Sequence, residues 1–326
     1  MMISSESDIC FSGPIKSAHR SSRRLFHTLH TPHYMVGSAP TLTLLGTGQD
    51  GGVPQAGCAC ANCSAAFEDG GRRRLPVAVG VRDAAGGMHL IEATRALPDQ
   101  FRLWADSLGM EAPVLPDSVL LTHAHLGHVE GLGQFGREAM GCVGMPLVAS
   151  DSVFEVLASR GTLEPFERGG NSRSSGPPSL VCPGVRFEFI PVPHRDDASD
   201  THAILVSGER AKVLFLPDHD DWDETLAAVG YESLRAWFAS LELTHAMIDA
   251  TFWSADELAG RDMSEVPHPL VEDTLGRLGR RNDSDPEIHL IHLNHSNPLN
   301  DPNSPQRRAV EVAGWVVGQR GWTIEL

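Results

Sequence analysis

No run in this 326-residue chain approaches the roughly 18 consecutive apolar residues that a membrane-spanning helix needs, which excludes a helical membrane protein. Basic charge is scarce: 26 Lys and Arg face 42 Asp and Glu, a formal net charge of −16. Such a surface repels phosphate backbones and excludes a general nucleic-acid binder, although the argument covers the whole molecule and not a local groove. Aromatic residues make up 6% of the chain and are too scattered to argue a stacking box. Cysteines number only six, and three of them, Cys58, Cys60 and Cys63, crowd together. A disulfide-stapled secreted protein would spread its cysteines out. The clustering points instead to metal or redox chemistry in a reducing compartment, and so to a cytoplasmic protein. Cys10, Cys142 and Cys182 are isolated, and the last two read as small core residues.

What is present supports a substantial core, since 41% of residues are hydrophobic. The first 40 residues stand apart. They are rich in Ser, His and Arg around Ser17 to Arg24 and show no apolar period. They read as a disordered or targeting-like tail, with Met35 as an alternative start; Glu6, Asp8 and the missing amphipathic pattern weigh against targeting. A single domain is expected over 41–326. Strands are predicted near 41–45, 76–81, 88–91, 118–121, 185–192, 203–206, 213–216, 247–249 and 288–293. Helices are predicted near 96–108, 129–140, 223–229, 271–278 and 307–318, and the segment 169–176 is a polar loop. Strands outnumbering helices in two βα-rich halves predict a sheet sandwich covered by helices.

Three motifs carry chemistry. The loop from Gly46 to Gly51 matches the dinucleotide fingerprint G-x-G-x-x-G after a strand, but Gly52-Val53-Pro54 follows where a helix should open. Its glycines are better read as letting the backbone turn close to a ligand or metal. Cys58-x-Cys60-x-x-Cys63 can wrap one tetrahedral ion, and thiolates favour a structural zinc; one coordination position remains for a histidine from the C-terminal segment. The third motif follows an apolar strand: Leu120-Leu121-Thr122-His123-Ala124-His125-Leu126-Gly127-His128. His123 and His125 share one side of an extended segment, and His128 enters the same space from a helix start. Three histidines so placed hold a metal such as zinc or iron.

T-H-x-H-x-x-H resembles the metallo-β-lactamase superfamily signature H-x-H-x-D-H, and later landmarks fall in family order: Pro193-His194, Leu216-Pro217-Asp218 and Leu293-Asn294-His295. Within the superfamily the chain is most similar to the coenzyme PQQ biosynthesis protein B family. That similarity is carried by Gly48-Gln49-Asp50-Gly51-Gly52, the cysteine triplet, Pro217 to Trp222, Ile248 to Phe252 and Ile291 to Pro298, and it covers about residues 41 to 320.

The resemblance implies an αββα sandwich with an active metal, zinc or iron, on His123, His125 and His194, and Asp218 as anionic ligand or bridge. It also places His295 as the terminal metal histidine of the active site. Side chains alternate along a strand, so His292, three residues earlier, is expected to face the other way and complete the cysteine zinc site.

Two departures from the family pattern matter. The aspartate of the signature is Gly127 here, so a single metal or a weak second one, held by His128, His295 and Asp218, is expected unless Asp50 folds over the site and supplies the missing charge. The biosynthetic family often replaces the first histidines of the signature, whereas this chain keeps both. The resemblance thus implies a metal-dependent, hydrolase-like enzyme acting on a small molecule, with Asp218 and Asp50 as catalytic carboxylates. An iron-dependent oxygenase step in PQQ biosynthesis and a non-catalytic metal-binding scaffold remain alternatives, and a homodimer is left open.

Overall fold

The computed structural model describes residues 39–163, 166, 178–195, 198–258 and 266–326. The N-terminal tail up to residue 38, including Cys10 and Met35, and the polar loop at 169–176 lie outside the described residues. Two mixed sheets carry the fold. The first is built from β1 (Thr41–Gly46), β2 (Ala78–Arg82), β3 (Met88–Ile91), β4 (Ser118–Leu120) and β5 (Leu147–Val148), with the C-terminal strand Thr323–Glu325 antiparallel to the outer edge of β1. The second contains β6 (Ser179–Cys182), β7 (Val185–Val192), β8 (Thr201–Ser207), β9 (Lys212–Leu216), β10 (His245–Asp249), β11 (Glu287–Ile291) and β12 (Val316–Val317), in that spatial order. β6 to β9 pair antiparallel, and β9 to β12 pair parallel.

Strand alternation decides which face each side chain joins. Val213 and Phe215 of β9 pack between the sheets with Leu42, Leu44, Val79 and Val81 of the first sheet. Their neighbours Leu214 and Leu216 point the other way, onto Trp222, Trp237 and Phe238 from the helices Trp222–Val229 and Leu234–Ser240. β10 repeats the division, Met247 facing the inter-sheet core and Ala246 and Ile248 the helices. Both faces are therefore covered, which is why these strands read as continuous apolar runs. On the far side of the first sheet the helix Leu97–Ser107 lays Trp104 against β2, where Gly80 leaves room for the indole. The layers run helix, sheet, sheet, helix, the predicted sandwich.

Three predicted elements differ. The helix expected at 129–140 is one α-turn, Leu126–Val129, followed by a 3₁₀ segment, Glu130–Phe135. Gly131 approaches the 93–94 backbone so closely that a β-carbon would lie 2.1 Å from the Thr94 carbonyl oxygen. The helix expected at 307–318 spans Pro305–Ala313 and stops at Gly314, whose φ of +90° only glycine adopts cheaply, before the chain enters β12. The strand expected to reach residue 293 ends at Ile291, and His292 turns out of it with φ +62°. A further helix, Ala61–Glu68, starts inside the cysteine cluster and carries Cys63. Cys142 and Cys182 are half-buried, Cys182 packing against the inter-sheet core.

The strand ends set the site. His194 lies two residues past β7 and Asp218 two past β9, Asp249 ends β10 and His292 follows β11. Because β9, β10 and β11 are parallel neighbours, their carboxyl ends deliver these groups side by side, at the sheet edge where α/β folds place their ligands. The loop after β4 supplies the remaining histidines.

Candidate metal centres

The thiolate cluster is closed by His295. Its Nδ1 lies 3.4 Å from Cys58 Sγ and 3.5 Å from Cys60 Sγ, and all four ligand atoms, with Cys63, fall within 4.8 Å of one another. A sulfur and a nitrogen on one tetrahedral zinc stand about 3.6 Å apart, given bonds of about 2.3 and 2.1 Å, so the spacing suits that ion. The backbone supports it. Gln55 N donates to Cys63 Sγ at 3.3 Å and Cys60 N to Cys58 Sγ at 3.4 Å, while Asn62 Nδ2 holds the His295 carbonyl at 2.9 Å. Burial pushes the Cys63 thiol up to about 12, so the thiolate form here depends on a cation to stabilise it.

The structure exchanges the two late histidines relative to the sequence reading. His295 stands with the cysteines, and His292, expected there, stands with Asp50, His128 and Asp218. Strand alternation does not govern either residue, because both lie past the end of β11. β11 ends before His292, so His292 occupies the strand-end position beside Asp249, and the three further residues carry the chain across to the cysteine loop.

The second cluster has two halves joined by Asp218. On one side His123, His125 and His194 each bring a ring nitrogen within 4.8 Å of the others, His123 Nε2 and His125 Nδ1 being 2.9 Å apart. Asp218 turns Oδ1 toward this half, 3.6 Å from His194 Nε2. Its Oδ2 faces the other half, 3.2 Å from His128 Nε2 and 3.5 Å from His292 Nε2. Asp50 comes from the loop after β1, with Oδ1 3.4 Å from His128 Nε2 and 3.5 Å from His292 Nε2.

A cation fits this arrangement on its own evidence. His128 Nε2, His194 Nε2, His292 Nε2 and Asp218 Oδ2 are all buried and lack a hydrogen-bond partner, although they converge within a few ångströms. Burying such atoms unsatisfied is costly, and divalent cations on the two sides of Asp218 would satisfy them.

The opposite ring nitrogens are oriented. Thr122 Oγ1 lies 2.9 Å from His123 Nδ1, Asp220 Oδ1 3.2 Å from His194 Nδ1, Glu92 Oε2 3.5 Å from His128 Nδ1 and Thr251 Oγ1 2.7 Å from His292 Nδ1. The Thr122 and Thr251 hydroxyls hydrogen-bond their rings, whereas Glu92 and Asp220 place negative charge beside His128 and His194 without a hydrogen bond to Nδ1. An acceptor beside Nδ1 favours the tautomer that leaves Nε2 pointing inward.

Charge within the cluster is strongly coupled. Burial alone would raise the Asp218 carboxyl, but His292, His128 and His123 hold it well below the usual carboxylate range. Asp50 shows the same balance, with His128 and His292 outweighing burial. Burial works against a charged His128, yet Asp218 and Glu92 lift it well above the ordinary histidine value. His123 moves the other way, pushed well down by burial and then by His128.

No sequence motif singles out Asp249, Glu92 or His268 as site residues. Asp249 Oδ2 holds His268 Nδ1 at 2.6 Å, and its Oδ1 accepts from Thr251 Oγ1 at 2.6 Å. The signal was available: Asp249, like Asp218, is a carboxylate ending a buried apolar strand. Glu92 sits one residue past β3, fully buried with φ +69°, and nothing local in the sequence marks it. His219 is buried, with Nδ1 2.8 Å from Thr225 Oγ1 and its ring centroid 4.2 Å from that of Trp222.

Residues 94–279 match the family model described as the beta-lactamase superfamily domain, more than half of the chain. The chain belongs to the metallo-β-lactamase superfamily. Coenzyme PQQ synthesis protein B of Xanthomonas campestris pv. campestris (strain B100) is 26% identical over 313 residues, covering 87% of this chain and 99% of the relative. Among solved structures, Zn(2+)-bound PqqB from Methylobacterium extorquens has a TM-score of 0.66 at 20% identity, covering 88% of this chain and all of the other. A diphosphatase from the PhnP family follows with a TM-score of 0.59 at 21% identity, covering 88% and 98%. This chain is thus a metallo-β-lactamase-fold protein close to the PQQ synthesis protein B group. No helix among the described residues is long and apolar enough to cross a membrane.

Proposed function

We propose that this protein is a metal-dependent hydrolase acting on a small ester, lactone or phosphodiester. The observation that carries the reading is Asp218, whose two oxygens face two separate sets of inward-pointing imidazole nitrogens. A divalent ion bound there would supply Lewis acidity and a water acidified toward neutrality. The remaining work falls to the chain. His123, His125 and His194 form the primary ligand set, and Asp218 presents one oxygen to that set and the other to His128 and His292. His268, clamped by Asp249 and with its ring centroid 5.2 Å from that of His194, is the group at the centre able to hand a proton to the leaving oxygen. The cysteine site with His295 is structural, and zinc is the ion its donors favour.

A second reading rests on the likeness to PQQ synthesis protein B along 99% of that protein's length. There the ion would be iron and the reaction an oxygen-dependent oxidation. One experiment separates the two. Protein loaded with zinc, manganese or iron is assayed against activated phosphodiesters, esters and lactones, with oxygen uptake followed in parallel. Hydrolysis that disappears in His194→Ala supports the first reading. Oxygen consumption with iron and no hydrolysis under any metal sinks it.

A further inference from the structure

We propose that Asp50 is a metal ligand moved from one loop to another: it supplies, from the loop after β1, the carboxylate that Gly127 lacks, and so completes a second metal site with His128, His292 and Asp218. The decisive observation is steric. A β-carbon built on Gly127 would lie 2.1 Å from Asp50 Cγ and 2.2 Å from its Oδ1. The Asp50 carboxyl therefore fills the space that a side chain at position 127 would occupy. The two residues cannot both carry carboxylates there, and the glycine is what admits Asp50.

The ligand spacing suits an ion. Asp50 Oδ1 is 3.4 Å from His128 Nε2 and 3.5 Å from His292 Nε2, and Asp218 Oδ2 is 3.2 and 3.5 Å from the same nitrogens. Oxygen and nitrogen ligands on one tetrahedral zinc stand about 3.3 Å apart. Both histidine nitrogens are buried without a hydrogen-bond partner. Charge argues the same way, because two dications facing Asp218 alone would be poorly neutralised, and Asp50 adds the second negative ligand.

The loop is built to hold Asp50 in place. Gln49 N donates to the Leu293 carbonyl at 3.0 Å and Leu293 N to the Thr47 carbonyl at 3.0 Å, tying the loop to the residue next to His292. Thr47 N and Gly48 N donate to the Leu75 carbonyl at 3.0 and 2.8 Å, and Arg95 binds the Gly51 carbonyl. The glycines that mimic a dinucleotide fingerprint serve this close approach. At Gly46 a β-carbon would lie 1.8 Å from the Pro76 carbonyl oxygen, and Gly52, just past the fingerprint, turns at φ +62°. Against the expectation of a single or weakly held second metal, His128, His292, Asp50 and Asp218 would hold a second ion beside the one His123, His125 and His194 would hold.

This inference rests on the metal-binding half of the proposed function and not on hydrolysis. Its test is a carboxylate swap read by metal content and affinity. Wild type, Asp50→Gly, Asp50→Asn, Gly127→Asp and the double variant Asp50→Gly/Gly127→Asp are titrated with zinc and with cobalt, and bound metal is counted by elemental analysis. Wild type should take up two ions at the histidines besides the thiolate ion. Asp50→Gly and the isosteric Asp50→Asn should each lose one, with affinity falling by more than the roughly 10–100-fold that loss of an outer-shell partner causes. The double variant should regain the ion, and its cobalt spectrum should return toward wild type. A melting curve on each variant identifies any that fail to fold, and Asp50→Asn, which keeps the shape, stands in for Asp50→Gly in that case. Wild-type metal content and affinity in a folded Asp50→Asn protein would overturn the inference alone. A wild-type chain that binds only the thiolate ion would overturn both this inference and the metal-dependent reading beneath it.

Discussion

Thr251 places its hydroxyl 2.7 Å from Nδ1 of His292, and the same hydroxyl donates to Asp249 Oδ1 at 2.6 Å. Since the hydroxyl's one proton goes to Asp249, it can only accept from His292, so Nδ1 carries the ring proton and Nε2 is left as a lone pair toward the metal. Asp249 thus fixes a ring it does not touch.

Thr251→Val removes that chain with little change of shape. The expected outcome is a drop of roughly 10–100-fold in affinity for the ion at His128 and His292, with the primary ion at His123, His125 and His194 retained. Thr251→Ser should restore most of it. Competitive titration against a chromogenic chelator measures both, and an unchanged Thr251→Val protein would remove the orienting role.

The exchange of His292 and His295 gives a paired prediction. His295→Ala should lose the thiolate-bound ion and, because a closed structural site contributes folding free energy, melt well below wild type. Cys60→Ser should behave in the same way. His292→Ala should keep its thiolate ion and most of its thermal stability while losing metal from the histidine cluster. Metal counting and melting curves on the three variants decide it; matching profiles for the two histidine variants would contradict the separation of sites.

The limits of the sequence are visible in these same residues. His123, His125 and His128 were legible because three histidines directly after an apolar strand have few structural uses, and Asp218 through the resemblance of Leu216-Pro217-Asp218 to a family landmark. The sandwich was legible from strands whose two faces are both apolar, such as β9. His292 and His295 were misassigned because the strand end was placed two residues late, and no rule of side-chain type announces a left-handed turn at a histidine. The helix Ala61–Glu68 escaped notice because its first turn lies inside the cysteine spacing and it lacks a side-chain cap. Glu92 and Asp220 belong to the centre only through contacts between distant segments, which local pattern does not encode.

Gly80 predicts a stability effect far from either centre. A β-carbon there would lie 2.3 to 2.7 Å from three ring atoms of Trp104, which is fully buried. Neither the indole nor strand β2 has room to withdraw, so Gly80→Ala should overpack the helix–sheet contact and cost about 1–3 kcal/mol. Urea unfolding with unchanged slope measures it. The double variant Gly80→Ala/Trp104→Leu should recover part of the loss if the clash is the cause; no recovery would mean that the glycine's backbone freedom matters instead.

The last prediction concerns pH. Arg235, on the helix Leu234–Ser240, grips Asp285 through two bonds, Nε to Oδ1 at 2.7 Å and Nη2 to Oδ2 at 2.8 Å, and Asn282 N adds a third at 2.9 Å. The Arg235 hydrogen bond is the main cause holding the Asp285 carboxyl below its ordinary value. A depressed carboxyl stabilises the fold above its unfolded value of about 3.9 and loses that contribution as pH falls through the lower folded value. The Asp285 side chain is 4% exposed but Arg235 is 38% exposed, so solvent screening limits the pair. Arg235→Met should therefore cost about 1–2 kcal/mol, near the lower end for a charge-assisted bond. The deficit should stay level between about pH 5 and 8 and shrink below about pH 4, vanishing once pH has fallen through the lower folded value of Asp285 in wild type. Paired urea titrations across that range measure it. A deficit that stays constant down to the acid limit would mean that Arg235 acts through its packing and its bond to the Arg280 carbonyl, and not through the charge of Asp285.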